Sequence, residues 1–255
     1  MSRIIKLFEQ KAKVLNVYCT AGYPQLDSTL KVMESLQKYG ADIIELGMPY
    51  SDPLADGEVI QKSSAKALAN GMTIPILFEQ LKGFRKEVDI PVILMGYMNP
   101  VLQYGFENFC RDASVLGIDG LILPDLPEYE YEKEYAAILK RYHLDFIFLV
   151  TPETSEQRVI KLDSLSSGFL YAVSSSSTTG SDKVMVNVTN YLQRLRSYRL
   201  KNPVLVGFGI KDKKNFEEAC ANAEGAIIGT AYINSLSSSD DIESATKSFL
   251  FGVLL

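Results

Sequence analysis

The chain has 255 residues, of which 47% are hydrophobic and 22% charged, and its formal net charge is −5. This length and composition predict one large domain with a full core, covering residues 1–255. The acidic balance gives no electrostatic reason to bind nucleic acid or an anionic membrane. The three cysteines are far apart and the chain has a single histidine, so a Cys/His zinc site is not expected.

The location of the protein is constrained by what the sequence lacks. No stretch approaches the roughly 20 apolar residues that a membrane span requires. The N-terminus has neither the apolar core nor the cleavage site of a signal peptide. Few, widely spaced cysteines are typical of proteins that stay in a reducing compartment. We therefore expect a soluble, cytoplasmic protein.

Short apolar runs alternate with longer amphipathic segments from one end of the chain to the other. The runs are rich in Val, Ile and Leu without polar alternation, which is typical of parallel strands buried on both faces. In chain order the predicted strands are 14–20, 43–46, 91–97, 120–123, 146–150, 168–173, 204–208 and 226–228. The predicted helices are 28–39, 60–69, 76–88, 106–116, 131–142, 155–165, 188–198 and 213–220.

A unit made of a helix end, a capping turn and a strand entry recurs at 39–46, 116–123 and, more loosely, 222–229. Together with eight predicted strands, this recurrence favours an α/β fold of the closed (β/α)₈ TIM-barrel type. A doubly wound open sheet is the alternative. No linker or composition break divides the chain, and the Ser-rich segment 235–240 is predicted to be a surface loop.

Carboxylates follow the second predicted strand. The apolar pair Ile43-Ile44 leads into Glu45, and the Pro- and Asp-rich loop that comes next carries Asp52 and Asp56. A strand that presents a carboxylate at its C-terminal end, followed by a loop with further acids, is how barrel enzymes build an acid–base site. Because Pro, Ser, Asp and Gly are also ordinary turn residues, a solvated turn is the alternative interpretation.

Other polar groups follow later strands. Asp125 lies between two prolines after the fourth strand, and Tyr171 lies on the sixth. Gly209 follows the seventh strand, and Gly229-Thr230 follow the eighth. Backbone N–H groups in glycine loops after these last two strands commonly hold a phosphate in barrels, although glycine also simply ends strands and helices.

A long polar loop, 174–181, follows the sixth strand and includes Thr179-Gly180. It is predicted to be a mobile lid that reaches the phosphate through hydroxyl and backbone groups. Plain disorder is the alternative.

The segment 45–57, Glu-Leu-Gly-Met-Pro-Tyr-Ser-Asp-Pro-Leu-Ala-Asp-Gly, resembles the signature of the tryptophan synthase alpha chain family almost residue for residue. Further matching segments occur in the family's order and span about residues 3 to 250: these are 20–24, 99–100, 104–105, 124–127, 179–180, 207–210 and 229–231.

The resemblance implies a (β/α)₈ barrel that acts as a lyase in tryptophan biosynthesis. The reaction is a retro-aldol cleavage of indole-3-glycerol phosphate to indole and glyceraldehyde 3-phosphate. The resemblance also implies a tryptophan synthase beta chain as partner, in an α₂β₂ complex, which joins indole to serine using pyridoxal phosphate. That cofactor belongs to the partner, so this chain is expected to need no cofactor and no metal. The expected docking surface comprises 49–57 and 99–105.

The resemblance also implies roles for individual residues. Glu45 and Asp56 match the two catalytic acids, and Tyr171 matches a tyrosine beside the glutamate. The residues matched to phosphate binding are Thr179, Gly180, Gly209, Gly229 and Thr230. The candidates for the indole pocket are Tyr18, Ile60, Leu123, Phe208 and Ile228.

One segment departs from the family pattern. Where the family usually has an arginine and a glycine in the lid, this chain has Ser175 and Ser177. The departure motivates an alternative function, a weakened barrel that acts mainly as an activator of the beta chain. A second alternative is a barrel that acts on a different indole or sugar phosphate, which the segment 49–57 disfavours because a generic phosphate site does not need it.

Overall fold

The computed structural model describes residues 2–173, 182–207 and 209–255, with only the backbone for 182–187. Its strands, in chain order, are β1 Val14–Thr20, β2 Ile43–Gly47, β3 Val92–Met95, β4 Gly120–Ile122, β5 Asp145–Phe146, β6 Leu149–Val150, β7 Leu170–Val173, β8 Val204–Gly207 and β9 Gly225–Ile228. All eight predicted strands are present, and the fifth is divided into β5 and β6.

The strands form one parallel sheet in the order β5-β4-β3-β2-β1-β9-β8-β7-β6. Its two ends, β5 and β6, are joined by only two residues. Of these, Ile147 donates its N–H to the Leu121 carbonyl on β4, and the carbonyl of Phe148 accepts from the N–H of Tyr171 on β7. The same short stretch thus bonds to both edges and closes the sheet, which confirms the (β/α)₈ barrel and excludes the open sheet.

Helices surround the sheet. They are α1 Arg3–Gln10, α2 Ser28–Tyr39, α3 Glu58–Ala69, α4 Ile74–Gln80, α5 Met98–Tyr104, α6 Phe106–Leu116, α7 Glu128–Glu130, α8 Ala136–Arg141, α9 Glu156–Leu165, α10 Asp182–Ser197, α11 Lys213–Cys220, α12 Thr230–Ser237 and α13 Ile242–Leu254. A 3₁₀ turn, Phe84–Lys86, follows α4, and a π-helical segment, Tyr131–Tyr135, joins α7 to α8. Among the described residues, no helix is long and apolar enough to cross a membrane.

The predicted helices at 28–39, 106–116 and 213–220 match the structure to the residue. The predicted helix 76–88 is shorter than expected, because α4 ends at Gln80 and the chain turns through Gly83, whose φ is +79°. The predicted loop 235–240 is wrong for its first three residues, which belong to α12. Five of the described helices were not predicted, namely α1, α5, α7, α12 and α13.

The barrel interior has an apolar layer toward the N-terminal ends of the strands. Each of the eight strand positions contributes one side chain to it, and α1 adds Ile4, which is fully buried. The members are Ile4, Val14, Ile43, Ile93, Ile122, Ile147, Phe169, Leu205 and Ile227. Because successive strand residues point to opposite faces, the next inward positions toward the C-terminal ends are Asn16 and Tyr18 on β1 and Glu45 on β2. The polar groups therefore lie above a closed apolar floor.

Candidate active site

Glu45 is the buried acid of the barrel interior. It lies on β2, opposite Tyr18 of β1, and is 1% exposed. The side-chain amide of Asn16 donates from Nδ2 to Glu45 Oε2 at 2.8 Å. No cation forms an ion pair with Glu45 among the described residues. A buried carboxyl group without a cation is favoured in its neutral form.

The pKa of Glu45 follows from these surroundings. Burial raises it from 4.5 to about 8, the hydrogen bond from Asn16 opposes the rise, and the nearby charge of Asp56 adds to it. A carboxyl group with a pKa near neutrality is able both to give and to take a proton at physiological pH. Glu45 therefore has the properties of a general acid–base catalyst.

Asp56 lies on the loop between β2 and α3 and is half-buried. Burial raises its pKa, and a hydrogen bond from the Tyr97 side chain lowers it. The Tyr97 hydroxyl also accepts the backbone N–H of Ala55 at 3.2 Å, and burial raises the pKa of Tyr97 to about 12. Tyr97 thus fixes the loop at the residue before Asp56 and donates to the carboxylate itself.

Two tyrosines face the acids from other strands. Burial raises the pKa of Tyr171, and the charges of Glu45 and Asp56 add to the rise. Burial likewise raises the pKa of Tyr18, with further contributions from both acids. The structure therefore brings Glu45, Asp56, Tyr171 and Tyr18 together at the C-terminal end of the barrel.

Glycines make room for both tyrosine rings. A Cβ on Gly47 would lie 2.1 Å from the Tyr18 hydroxyl oxygen. A Cβ on Gly207 would lie 2.6 Å from the Tyr171 hydroxyl oxygen. Any larger residue on β2 or β8 at these positions would displace a ring that borders the acids.

A small apolar cluster lies beside these groups. Tyr18, Ile60 and Ile233 form it, and Met95 packs against it from β3. Met95 also packs against the apolar floor of the barrel, as do Leu149 and Tyr171. Met95, Leu149 and Tyr171 are only partly buried, so they border open space above the floor. This is where a planar apolar group would fit.

Two predicted pocket residues lie elsewhere. Leu123 and Ile228 belong to the large core between the strands and the surrounding helices. Their preceding neighbours, Ile122 and Ile227, face the barrel interior instead. At these two positions the residue one place earlier along the chain faces the barrel interior, because adjacent strand residues point to opposite faces.

The candidate phosphate residues surround the start of α12. Gly229 precedes this helix, and no side chain caps its N-terminus. A Cβ on Gly229 would lie 3.4 Å from Tyr18 Cβ and 3.7 Å from Ile60 Cδ1, so Gly229 is next to the apolar cluster. Thr230 is exposed, and Gly209 is exposed with φ +40° after β8. Uncapped N–H groups at a helix N-terminus favour an anion.

Three predicted site residues, Thr179, Gly180 and Phe208, lie outside the described residues. Asp125 has a structural role: both of its carboxylate oxygens accept the Met98 N–H at 3.0 Å, which caps α5. Within the described residues, no group of three or more His, Cys, Asp or Glu side chains could hold a metal ion.

Asn16, Tyr97 and Met95 are site residues that the sequence patterns did not identify. Asn16 is a polar residue within the apolar strand 14–20, and that interruption is the signal that points to it. Tyr97 and Met95 resemble ordinary apolar strand residues. Their position near the acids follows only from the alignment of neighbouring strands, in which Glu45 pairs with Ile93.

Comparisons with known proteins agree with this geometry. A family model described as tryptophan synthase alpha chain matches residues 4–251. A tryptophan synthase alpha chain from Flavobacterium johnsoniae is 51% identical over 240 residues, covering 94% of this chain and 95% of the relative. One from Bacteroides thetaiotaomicron is 47% identical, covering 96% of each chain.

Solved structures agree as well. Tryptophan synthase subunit alpha from Legionella pneumophila superposes with a TM-score of 0.90 at 34% identity, covering 99% of this chain and 97% of the other. A chain of tryptophan synthase from M. tuberculosis superposes with a TM-score of 0.87 at 29% identity, covering 99% and 100%. With the buried acid, the second acid and the barrel already established, the chain belongs to the tryptophan synthase alpha chain family.

Proposed function

We propose that this chain is a lyase that cleaves indole-3-glycerol phosphate to indole and glyceraldehyde 3-phosphate, with Glu45 as the acid–base catalyst. The observation that supports this assignment is the burial of Glu45, with no cation paired to it in the described part of the chain, which raises its pKa to about 8 beside Asp56. The reaction needs one group that first gives and then takes a proton, and a carboxyl group with this pKa does both at neutral pH.

The cleavage follows in two proton transfers. Protonated Glu45 gives its proton to indole C3, which places positive charge on the ring system and its N–H. The carboxylate then takes the proton of the side-chain hydroxyl next to C3. The electrons of that O–H bond form the aldehyde carbonyl, the C–C bond breaks, and its electron pair restores the indole ring. Each acid–base role typically contributes 10²–10⁴-fold.

Asp56 stabilises the charge that develops on the ring. Its carboxylate accepts a hydrogen bond from the indole N–H, which becomes more acidic as C3 is protonated. The bond from Tyr97 favours the ionised form of Asp56, against the larger effect of burial, which raises the pKa of that carboxyl group. Tyr171 contacts the substrate beside Glu45 through a hydroxyl that stays neutral, because burial raises its pKa.

Binding of the rest of the substrate uses the surroundings of the acids. The indole ring lies against Tyr18, Ile60 and Met95, above the apolar floor that includes Ile122 and Ile227. Leu123 and Ile228 are kept as pocket candidates on the family resemblance. Gly229, Thr230 and Gly209 hold the phosphate with backbone N–H groups at the start of α12 and after β8. We assign Thr179 and Gly180 to the phosphate and Phe208 to the ring on the family resemblance alone.

The test is indole release by Glu45→Gln, measured with and without a beta chain. Glutamine keeps the shape of the side chain but carries no transferable proton, so release should fall at least about a hundredfold. Glu58→Gln is the matched control, since Glu58 is exposed and lies at the start of α3. Unchanged release by Glu45→Gln would show that the assignment is wrong.

The same experiment decides on the alternative function. If the unmodified chain releases no indole with or without the beta chain, yet stimulates the beta reaction, the barrel is an activator. If Glu45→Gln loses release but still stimulates the beta chain, catalysis and activation are separate properties of one barrel.

We propose that the beta chain docks on the loop 49–57 together with α5. The Tyr50 hydroxyl accepts a hydrogen bond from Asn99 at 3.0 Å, which ties the two segments together. Two apolar side chains are exposed there, Leu54 at 81% and Leu102 at 49%, and exposed apolar groups favour association. Leu54→Asp should weaken stimulation of the beta chain, whereas Val115→Asp, 82% exposed on α6, should leave it unchanged.

The proposal extends to the complex. We infer an α₂β₂ assembly in which the partner holds pyridoxal phosphate, and a cytoplasmic location consistent with amino-acid biosynthesis. We also infer that residues 1–255 form one domain, which the single closed sheet supports.

A further inference from the structure

Asn16 is a buried polar residue that the fold does not need. It is 0% exposed and lies within β1, whose residues are all buried. Its Nδ2 donates to Glu45 Oε2, but its Oδ1 is buried and has no hydrogen-bond partner within the described part of the chain. A buried acceptor without a donor destabilises the fold, and an apolar residue of the same shape would avoid that cost. Stability alone therefore does not explain an asparagine here.

The hydrogen bond from Asn16 to Glu45 explains why an asparagine occupies this position. A carboxyl group has two oxygens, and its proton resides on the one that is not already accepting a strong hydrogen bond. Because Asn16 donates to Oε2, this oxygen is an acceptor whether Glu45 is ionised or protonated. The other oxygen, Oε1, accepts no hydrogen bond from a side chain of the described residues and is left to carry the proton.

The geometry points to Asn16 as a positioning residue that fixes the proton of Glu45 on Oε1, the oxygen that exchanges it with the substrate. This inference rests on the proposed function, in which Glu45 gives a proton to indole C3 and takes one from the adjacent hydroxyl. Both transfers use the same oxygen, so Glu45 need not rotate between them.

Several groups face Glu45 and influence its titration. Asp56 faces it from the loop after β2, Tyr18 from β1 and Tyr171 from β7, and the charge of Glu45 also affects Cys19. Burial raises the pKa of both tyrosines and of the cysteine well above neutrality. Asp56 is therefore the other carboxyl group in this set, its pKa raised by burial, and variants at Asn16 leave it in place.

The experiment compares Asn16→Leu and Asn16→Asp in the full chain, with indole release from indole-3-glycerol phosphate followed against pH. Leucine has nearly the shape of asparagine but no donor. Its kcat should fall about tenfold or more, the amount expected for losing a hydrogen bond to a charged group, while KM changes little. Its pH profile should shift upward, because the bond from Asn16 lowers the pKa of Glu45.

Asn16→Asp gives a signature that a merely structural role would not produce. At low pH the introduced carboxyl group is protonated and donates to Oε2 from the position that Nδ2 occupied, so activity should recover toward that of the unmodified chain. As pH rises, the introduced group ionises beside Glu45, and activity should fall at a lower pH than in the unmodified chain. Asn16→Leu should show no such recovery.

The outcomes separate this inference from the proposed function. If Asn16→Leu keeps the unmodified kcat and pH profile while Glu45→Gln loses indole release, the positioning role is overturned and the proposed function stands. If Glu45→Gln retains release, both fall together. Should Asn16→Leu fail to fold, the pH dependence of Asn16→Asp decides, and a flat ratio to the unmodified chain across pH overturns the inference.

Discussion

The two ends of the barrel each hold a buried carboxyl group, and the two groups have opposite surroundings. Glu45, toward the C-terminal ends of the strands, has one neutral donor and a second acid nearby. Asp119, at the N-terminal end of β4, accepts from Arg3 at 2.9 Å, from Arg85 and from the Val92 N–H at 2.8 Å. Their exposures are alike, at 1% and 6%, so burial does not distinguish them.

What distinguishes the two acids is the partners that the fold supplies. Asp119 is surrounded by donors, two of them cationic, and its partner Arg85 also donates to the carbonyls of Gly117, Val88 and Ile90. This network ties β3, β4 and the turn after α4 together. Among the described residues Glu45 has no cationic partner, so its proton is easily gained and lost. A buried acid paired with cations serves stability, and one without them is a candidate for chemistry.

Asp145 is a third buried carboxyl group, whose partners are intermediate between those of Asp119 and those of Glu45. It is 9% exposed near Asp119, and burial raises its pKa, while hydrogen bonds from Ser2 and Ser167 lower it. Within the part of the chain that the structure describes, it has donors but no cationic side chain. Its position at the N-terminal end, covered by α1, keeps it away from the face where barrel active sites lie.

The largest expected effect that tests this contrast is the loss of stability in Asp119→Ala. Removing the carboxylate leaves the mostly buried Arg85 without its anionic partner, which typically costs about 3–5 kcal/mol of the free energy of unfolding. Urea denaturation would measure it, and indole release by the folded fraction should be unchanged. Arg3→Ala removes an exposed partner of the same carboxylate (the Arg3 side chain is 48% exposed) and should cost about 1 kcal/mol or less. If Asp119→Ala and Arg3→Ala lost equal amounts of the free energy of unfolding, the stabilising role assigned to the buried pair of Asp119 and Arg85 would be contradicted.

The sequence predicts most of the barrel because its signals are local. Runs of Val, Ile and Leu mark the strands, and the helix at 28–39 ends where Gly40 adopts φ +110°. The missed helices lack such signals. The α13 segment is strongly apolar overall, and its position depends on packing against α2, where Tyr39 meets Phe251 edge to face with ring centroids 6.2 Å apart. A contact between residues this distant in sequence cannot be read from either segment alone.

A smaller effect is expected for Tyr97→Phe, which leaves the ring in place and removes both the bond to Asp56 and the acceptor of the Ala55 N–H. A hydrogen bond to a charged group is worth about 1.5–3 kcal/mol, so kcat for indole release should fall roughly tenfold to a hundredfold. The pKa of Asp56 should rise, because the bond from Tyr97 lowers it. Tyr50→Phe is the matched control, since its ring lies 5.5 Å from that of Tyr97 and its hydroxyl bonds to Asn99.

If Tyr50→Phe lowers kcat as much as Tyr97→Phe, the effect comes from the loop and not from the carboxylate.

The active site shows which residues a sequence can and cannot identify. Glu45 and Asp56 stand out as acids after an apolar strand, whereas Tyr97 is assigned only when its hydroxyl is seen beside Asp56. The orientation of Leu123 and Ile228 illustrates a related limit, because strand ends set which residues face inward and a shift of one position reverses the face.

The last expected effect is a gradual one, the change in the free energy of unfolding for each unit of pH. Burial raises the pKa of Glu45 from 4.5 to about 8, so between these values the folded chain holds a proton that the unfolded chain has lost. The free energy of unfolding therefore falls as pH rises through this range, by at most about 1.4 kcal/mol per pH unit for one group. Glu45→Gln cannot lose that proton, so its stability relative to the unmodified chain should increase with pH from about 5 to 8 and level off above. Asp56 is present in both chains, and because its charge contributes to the pKa of Glu45, only the part of its titration that does not depend on Glu45 cancels in the difference. Urea midpoints at a series of pH values would measure this difference in stability. Parallel plots of midpoint against pH for the two chains would mean that Glu45 is ionised in the folded protein at neutral pH. That outcome would remove the feature that distinguishes Glu45 from Asp119.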